Sequence, residues 1–240
     1  MSGTEALPEA EAHDHSHADV SGGWLRAGVF GAMDGLVSNT ALVAGVAGGG
    51  AAPRTVVLSG VAGLIAGAIS MALGEYTSVK TQNEQLDLEV AKERRELEVN
   101  PEGELAELVQ MLRARGVEER LAHEVAVQLS RDPETALRLH IVAELGLSPA
   151  DKPSPRTAAV VSLLTFSLGA LLPLLPYLFG FPVLWAALVS GGIGLVAAGV
   201  LSSLFTPRPW WYAGLRQLLF GAIAAGATFA IGSAIGVSVA

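Results

Sequence analysis

Two carboxylates lie within long segments that otherwise carry no charge. Asp34 is the only charged residue between positions 27 and 53, and Glu75 is the only one between positions 55 and 79. A charged side chain at the centre of a transmembrane helix costs about 2.5–3.5 kcal/mol on insertion scales. Acidic residues inside membrane segments are functional by default. We therefore consider both carboxylates candidate ligands of an ion.

Polar and polarisable side chains accompany both acids. Ser38 and Asn39 follow Asp34 by about one helical turn, and Met71 precedes Glu75 by four positions on the same helix face. Carboxylate oxygens suit hard cations, whereas thioether sulfur favours softer or borderline ones. The pattern predicts a divalent-cation pathway lined by Asp34, Asn39, Met71 and Glu75. The alternatives are a structural hydrogen bond for Asp34 and an interfacial Glu75 whose carboxylate reaches water.

A second set of donors lies in the polar stretch between the apolar segments. Three predicted helices each carry two donors three or four positions apart, and the pairs are Glu93 with Glu96, Glu104 with Glu107, and His140 with Glu144. If the helices converge, these side chains form a metal site rich in oxygen. The spacing alone leaves open that they are the solvated faces of acid-rich amphipathic helices.

The composition is typical of a membrane protein. Hydrophobic residues make up 51% of the 240 residues and charged residues 16%, and the mean hydropathy is +0.47. Soluble domains carry nearer a quarter charged residues. The absence of cysteine excludes disulfides and thiolate metal sites. The net charge of −8 gives no basic patch, so no nucleic-acid partner is expected.

The elements that must position these residues are apolar helices, because about 20 apolar residues span a bilayer core. The predicted fold is an all-α membrane protein of five transmembrane helices, with a cytosolic helical metal-binding domain inserted between helices 2 and 3. The predicted spans are 27–49, 55–79, 157–179, 183–205 and 214–237. Pro173 and Pro176 are expected to kink the third span. Pro101 and Gly103 are expected to end the cytosolic continuation of the second helix.

The predicted divisions of the chain are a disordered tail at 1–23, helices 1 and 2 within 24–79, the inserted domain at 80–150, and helices 3 to 5 within 151–240. Lysine and arginine favour the cytosolic side, which places the N-terminus and the inserted domain in the cytosol and the C-terminus outside. Without targeting features, the expected location is a bacterial inner membrane. The tail carries alternating histidines that either collect metal or have no such role: His13, His15 and His17.

Three stretches resemble the vacuolar iron transporter (VIT) family. They are GAMDGLVSNTALVAGV in the first span, GAISMALGEYTSVKTQNE in the second, and RQLLFGAIAAGATFAIGSAIG in the last. The resemblance covers about residues 24–240. It implies exchange of cytosolic Fe²⁺ or Mn²⁺ against protons by a homodimer, with an ion path near the first spans of both subunits. Zn²⁺ and Co²⁺ are further candidate ions, and no prosthetic group is expected.

The resemblance also implies roles for individual residues. Asp34 and Met71 match the membrane ligands of the family, and Glu75 lies near the cytosolic mouth. The cytosolic helices of the family bind metal through glutamates and a sulfur donor, and the matching glutamates here are Glu93, Glu96, Glu104, Glu107 and Glu144. His140 stands where plant-type members have methionine. An imidazole binds Fe, Zn or Mn and titrates near neutral pH.

These features favour a proton-coupled metal exporter. A carboxylate that binds either a divalent ion or a proton gives antiport by competition. The alternative is a membrane-anchored metal sensor or storage protein without transport, although an anchor has no need of Asp34. An enzyme is not expected, because the chain lacks the Glu-x-x-His pairs of a di-iron oxidase. No Walker A motif is present to drive an ATP-dependent pump.

Overall fold

The computed structural model describes residues 23–146 and 152–239 of the chain, and this described part is helical without any strand. One 3₁₀ turn covers Leu172–Leu174. The α-helices are α1 (Trp24–Gly48), α2 (Pro53–Val99), α3 (Pro101–Ala114), α4 (Glu119–Leu129), α5 (Pro133–Leu145), α6 (Pro155–Leu171), α7 (Leu175–Leu178), α8 (Leu184–Ser203) and α9 (Trp210–Val239). The predicted histidine tail lies outside the described residues except for residue 23.

Within the described ranges, five helical segments are long and apolar enough to cross a membrane: Trp24–Gly48, Pro53–Val99, Pro155–Leu178, Leu184–Ser203 and Trp210–Gly236. The prediction of five spans is therefore confirmed. The third span consists of α6, the 3₁₀ turn and α7. Pro173 lies in that turn and Pro176 in α7. Since proline donates no backbone hydrogen bond, the interruption occurs where the sequence predicts an irregular helix.

Helix α1 lies at the centre of the bundle and has the largest buried share of the five spans. Small residues allow this close packing. A Cβ at Gly35 would overlap the carbonyl oxygen of Phe166 in α6, and a Cβ at Gly232 in α9 would overlap the carbonyl oxygen of Gly45. The backbones of α6 and α9 therefore approach α1 directly. Residues on α1 are held in place by neighbours on several sides.

Helices α1 and α2 run antiparallel. Arg26, near the start of α1, pairs with Glu75 of α2, whereas Asn39, further along α1, lies beside Gly63. The chain thus reverses direction between these two spans, as it must if both cross the same bilayer. The start of α1 and the polar continuation of α2 consequently lie at the same end of the bundle.

Helix α2 is too long to lie wholly within a membrane. Its 47 residues extend about 70 Å at 1.5 Å per residue, whereas a bilayer core is about 30 Å thick. Its polar second half packs against α5 through a hydrophobic core of Leu86, Leu137 and Ile141. Arg94 of α2 also contacts Glu134 of α5, with distances of 2.5 and 3.3 Å from its guanidinium nitrogens to the two carboxylate oxygens.

Helix α2 ends at Val99, where the sequence predicts its end, and Pro101 and Gly103 form the first turn of α3. Asn100 makes this possible, because its Oδ1 accepts a hydrogen bond of 3.2 Å from the Gly103 backbone nitrogen and caps α3. The two helices therefore join in a single sharp corner. This corner brings the start of α3 beside the last turns of α2.

Candidate metal centre and membrane cavity

Three buried side chains from three helices converge beside the second half of α2. Glu93 lies on α2, Glu104 on α3 and His140 on α5, and one donor atom from each lies within 4.8 Å of the others. The His140 Nδ1 atom is 3.1 Å from Glu93 Oε1 and 3.4 Å from Glu104 Oε2. The exposed fractions of Glu93, Glu104 and His140 are 7%, 8% and 1%. This group is called the buried cluster below.

Four buried polar atoms of the cluster form no hydrogen bond, although the ring and the carboxylates lie within ion-pairing distance. They are Glu93 Oε1, Glu104 Oε2 and both ring nitrogens of His140. Most buried polar atoms in proteins have a hydrogen-bond partner, and each that lacks one costs about 1–3 kcal/mol. A cation bound between the two carboxylates and an imidazole nitrogen would satisfy these atoms together. This donor set suits Fe²⁺, Mn²⁺, Zn²⁺ or Co²⁺.

The other three predicted glutamates surround the buried cluster. Glu144 Oε1 lies 3.9 Å from His140 Nδ1, with 35% of its side chain exposed. The charge of Glu107 acts on Glu144, and the charge of Glu96 acts on Glu93. All six predicted ligands are thus brought together. They differ in depth, with three in the buried cluster and Glu96, Glu107 and Glu144 around it.

Burial and mutual repulsion favour the protonated forms of Glu93 and Glu144. Burial, followed by repulsion from the carboxylates of Glu144, Glu104 and Glu96, raises the pKa of Glu93 to about 7. Burial likewise raises the pKa of Glu144, followed by the charge of Glu107. Near neutral pH, the Glu93 carboxyl of the metal-free protein is thus close to half protonated. A metal ion bound there would compete with that proton.

A second constellation lies within the membrane spans. Asp34, Asn39, Met71 and Glu75 all line one cavity of about 430 Å³ between α1, α2 and α6. Since α1 and α2 are antiparallel, Glu75, Met71, Asp34 and Asn39 follow one another along its length. Glu75 lies level with Arg26 of α1, so the row from Glu75 to Asn39 extends about 20 Å along α1, at 1.5 Å per residue. The four side chains predicted to line an ion pathway therefore share one cavity.

Asp34 is half-buried in this cavity. Among residues 23–146 and 152–239, no hydrogen bond or ion pair reaches its carboxylate. The nearby Ser38 hydroxyl donates instead to the Asp34 backbone carbonyl oxygen, at 2.6 Å. The described residues therefore give no support to the alternative that Asp34 serves as a structural hydrogen-bonding residue. Its two carboxylate oxygens remain available to an ion or a proton.

Asn39 offers a further free acceptor deeper in the cavity. It is 3% exposed, and its Nδ2 donates a hydrogen bond of 2.5 Å to the carbonyl oxygen of Ala170 in α6. This bond orients the amide, and the buried Oδ1 has no hydrogen-bond partner. An uncompensated amide oxygen beside the cavity is a suitable ligand for a hard cation.

Glu75 has a partner that sequence reasoning missed. Its Oε1 lies 2.7 Å from the Nη2 of Arg26, which donates a hydrogen bond to it. The Glu75 side chain is only 10% exposed, which disfavours the alternative that its carboxylate simply reaches water. The signal was available in principle, because antiparallel neighbouring spans place position 26 level with position 75.

A family model described as the VIT family matches residues 25–233. The "Vacuolar iron transporter" of Acanthamoeba castellanii is 36% identical over 229 residues, which cover 94% of this chain and 84% of that protein. That of Centaurea cyanus is 35% identical, covering 89% of this chain and 88% of its own length. "Vacuolar iron transporter 1" of Oryza sativa subsp. japonica is 32% identical, covering 95% and 93%. The likeness therefore extends over nearly the whole of each protein.

Proposed function

This chain belongs to the VIT family, and from that premise we propose that it moves Fe²⁺ and Mn²⁺ out of the cytosol in exchange for protons. Its family and named relatives are transporters, so the prediction that it is not an enzyme is confirmed. The observation that carries the proposal is the Asp34 carboxylate, half-buried in a cavity within the spans and without a partner among the described residues.

The proposed mechanism is competition between metal and protons for the same oxygen atoms. An ion entering from the cytosol meets Glu75, then Met71 and Asp34, and then the Asn39 amide oxygen. When the ion leaves Asp34, the carboxylate accepts a proton from the far side and releases it to the cytosol. Because one carboxylate cannot hold both at once, transport of metal is coupled to protons in the opposite direction.

The buried cluster and its surrounding glutamates receive metal on the cytosolic side in this proposal. Glu93 and Glu75 lie on the same long helix, about 27 Å apart at 1.5 Å per residue. This distance is too great for one ion to contact both. The cluster therefore supplies metal to the cavity by raising its local concentration, and it empties when protons occupy Glu93. A second copy of the chain is proposed to complete the path beside α1.

A membrane-anchored metal sensor or storage protein is the second candidate. The buried cluster favours this function, because its donor atoms without hydrogen bonds could bind a metal ion without any part of the membrane spans. In that case metal binds to the protein, but no metal crosses the membrane. The cavity would then have no role, and neutralising Asp34 would change nothing measurable.

Transport into liposomes separates the two functions. We would reconstitute the full chain, impose a pH gradient, and follow Fe²⁺ uptake under anaerobic conditions and Mn²⁺ uptake, with an internal dye reporting proton movement. We expect uptake of both metals with proton movement in the opposite direction. The variant Asp34→Asn should reduce both fluxes to background, because the amide binds neither a proton nor a divalent ion strongly.

The matched control is Asp87→Asn, which makes the same change at an exposed side chain outside the spans. It should retain the wild-type fluxes. Equal transport by wild type and Asp34→Asn would exclude the proposed pathway. Metal binding without any uptake by the wild type would favour the sensor or storage function, and uptake without proton movement would exclude antiport.

A further inference from the structure

We propose that Arg26 is a resident cation at the cytosolic entrance of the cavity, which an arriving divalent ion must displace from Glu75. This inference rests on the proposed function, since it assigns a role in ion entry. The Arg26 Nη2 lies 2.7 Å from Glu75 Oε1. The carboxylate belongs to the cavity wall, and its only ion pair among the described residues is with Arg26.

The two partners differ greatly in exposure. The Glu75 side chain is 10% exposed, whereas the Arg26 side chain is 67% exposed. The guanidinium thus reaches a carboxylate in the cavity wall from the exposed surface of the bundle, at the end of the span that is proposed to face the cytosol. Its stem can turn away and leave the charged group solvated, so releasing Glu75 does not strand a buried positive charge.

Charge determines what happens when metal arrives. A divalent ion on Glu75 would lie within a few ångströms of the guanidinium, and the repulsion between them favours the turn of Arg26 into water. Once the ion has moved on to Met71 and Asp34, the guanidinium returns and neutralises Glu75. Arg26 therefore weakens metal binding at the entrance and limits return of the ion to the cytosol. Arg26 competes with the metal ion for the Glu75 carboxylate, and it need not contact the ion at Met71 or Asp34.

A purely structural role makes a different prediction. If Arg26 only ties α1 to α2, its removal should loosen the bundle and lower the maximal rate, without tightening metal binding. If Arg26 competes with metal, the variant Arg26→Gln should lower the apparent KM about two- to fivefold, the upper part of the range expected for a partly exposed ion pair. Arg26→Lys keeps the charge and should remain within about twofold of wild type.

The effect must also depend on Glu75. In the Glu75→Gln background, Arg26→Gln should leave metal binding unchanged, because the group for which Arg26 and metal compete is absent. The matched control is Arg216→Gln, which removes one exposed arginine in α9 that forms no ion pair among the described residues. This control should not alter the KM.

We would measure Mn²⁺ transport by these variants in liposomes and, separately, Mn²⁺ binding to the purified full chain by electron paramagnetic resonance. The binding series carries Glu104→Ala in every protein, so that the buried cluster does not mask the membrane site. Unchanged or weaker Mn²⁺ binding in Arg26→Gln would overturn the inference, as would an equal gain in the Glu75→Gln background. If removing Arg26 tightens Mn²⁺ binding only when Glu75 is present, but the wild type transports no Mn²⁺, then the competition between Arg26 and metal is supported and the proposed transport function is refuted.

Discussion

Replacing Glu93 with glutamine should stabilise the metal-free protein above neutral pH while weakening its metal binding. Burial, followed by the neighbouring carboxylates, raises the pKa of Glu93 from 4.5 to about 7. The folded state therefore binds more protons than the unfolded state between these values. The stability from this group is fully present below about pH 4.5 and is lost as pH rises through about 7. Glutamine mimics the protonated carboxyl and removes that loss.

The size of the effect follows from the same pKa. A rise from 4.5 to about 7 corresponds to about 3–4 kcal/mol at most, at 1.36 kcal/mol per pKa unit. Water reaches the surrounding Glu107 and Glu144 side chains, both of which are exposed. Screening by this water reduces the gain to about 1–2 kcal/mol. For a chain of this size, that corresponds to an increase in melting temperature of about 2–8 °C.

The assay is thermal unfolding of the full chain in detergent with a chelator, at pH 5 and at pH 8. We expect Glu93→Gln to melt above wild type at pH 8 and close to it at pH 5. Glu89→Gln is the matched control, because Glu89 lies one turn earlier on α2 with 53% of its side chain exposed. It should show little change at either pH. A lower melting temperature for Glu93→Gln at pH 8, or an equal gain at both pH values, would refute the reasoning.

Two further substitutions test the metal centre and the packing of the spans. Glu104→Ala should lower the Mn²⁺ affinity of the buried cluster about tenfold or more, measured by calorimetry, whereas Glu102→Ala at an exposed position should not. Equal affinities of the two variants would exclude Glu104 as a ligand. Gly35→Ala should destabilise the bundle by about 1–3 kcal/mol, because its Cβ would overlap a carbonyl oxygen of α6. Gly74→Ala is the control, because its Cβ would meet no atom within 4 Å. If both variants melt alike in detergent, close contact of α1 and α6 does not limit stability.

The spans could be predicted because lipid requires long apolar helices regardless of how they pack. Their ends were less predictable. Helix α1 begins at Trp24 and α9 at Trp210, a few residues before the expected positions. Tryptophan is common at membrane interfaces, so both helices extend beyond the fully apolar stretch. The spans predicted from the uncharged stretches are therefore shorter than these two helices at their N-terminal ends.

The sequence predicted which residues form the candidate sites, but it did not predict how deeply each side chain is buried. Spacing of three or four residues places Glu93 and Glu96 near one another on α2, yet only Glu93 is buried. Which of the two faces α3 and α5 depends on the rotation of α2, which its own sequence does not specify. The pairing of Arg26 with Glu75 likewise depends on the relative height of two helices. Both details arise from tertiary contacts and not from local pattern.

The unbroken α2 helix links the geometry of the membrane cavity to that of the buried cluster. Glu75 and Glu93 are 18 positions apart, which is about five full turns at 3.6 residues per turn. Both side chains therefore have the same azimuth about the helix axis. Inserting one residue between them would turn Glu93 through about 100° and away from α3 and α5. The number of residues between Glu75 and Glu93 is thus constrained to keep both side chains on the same side of α2, even where no intervening side chain contacts metal.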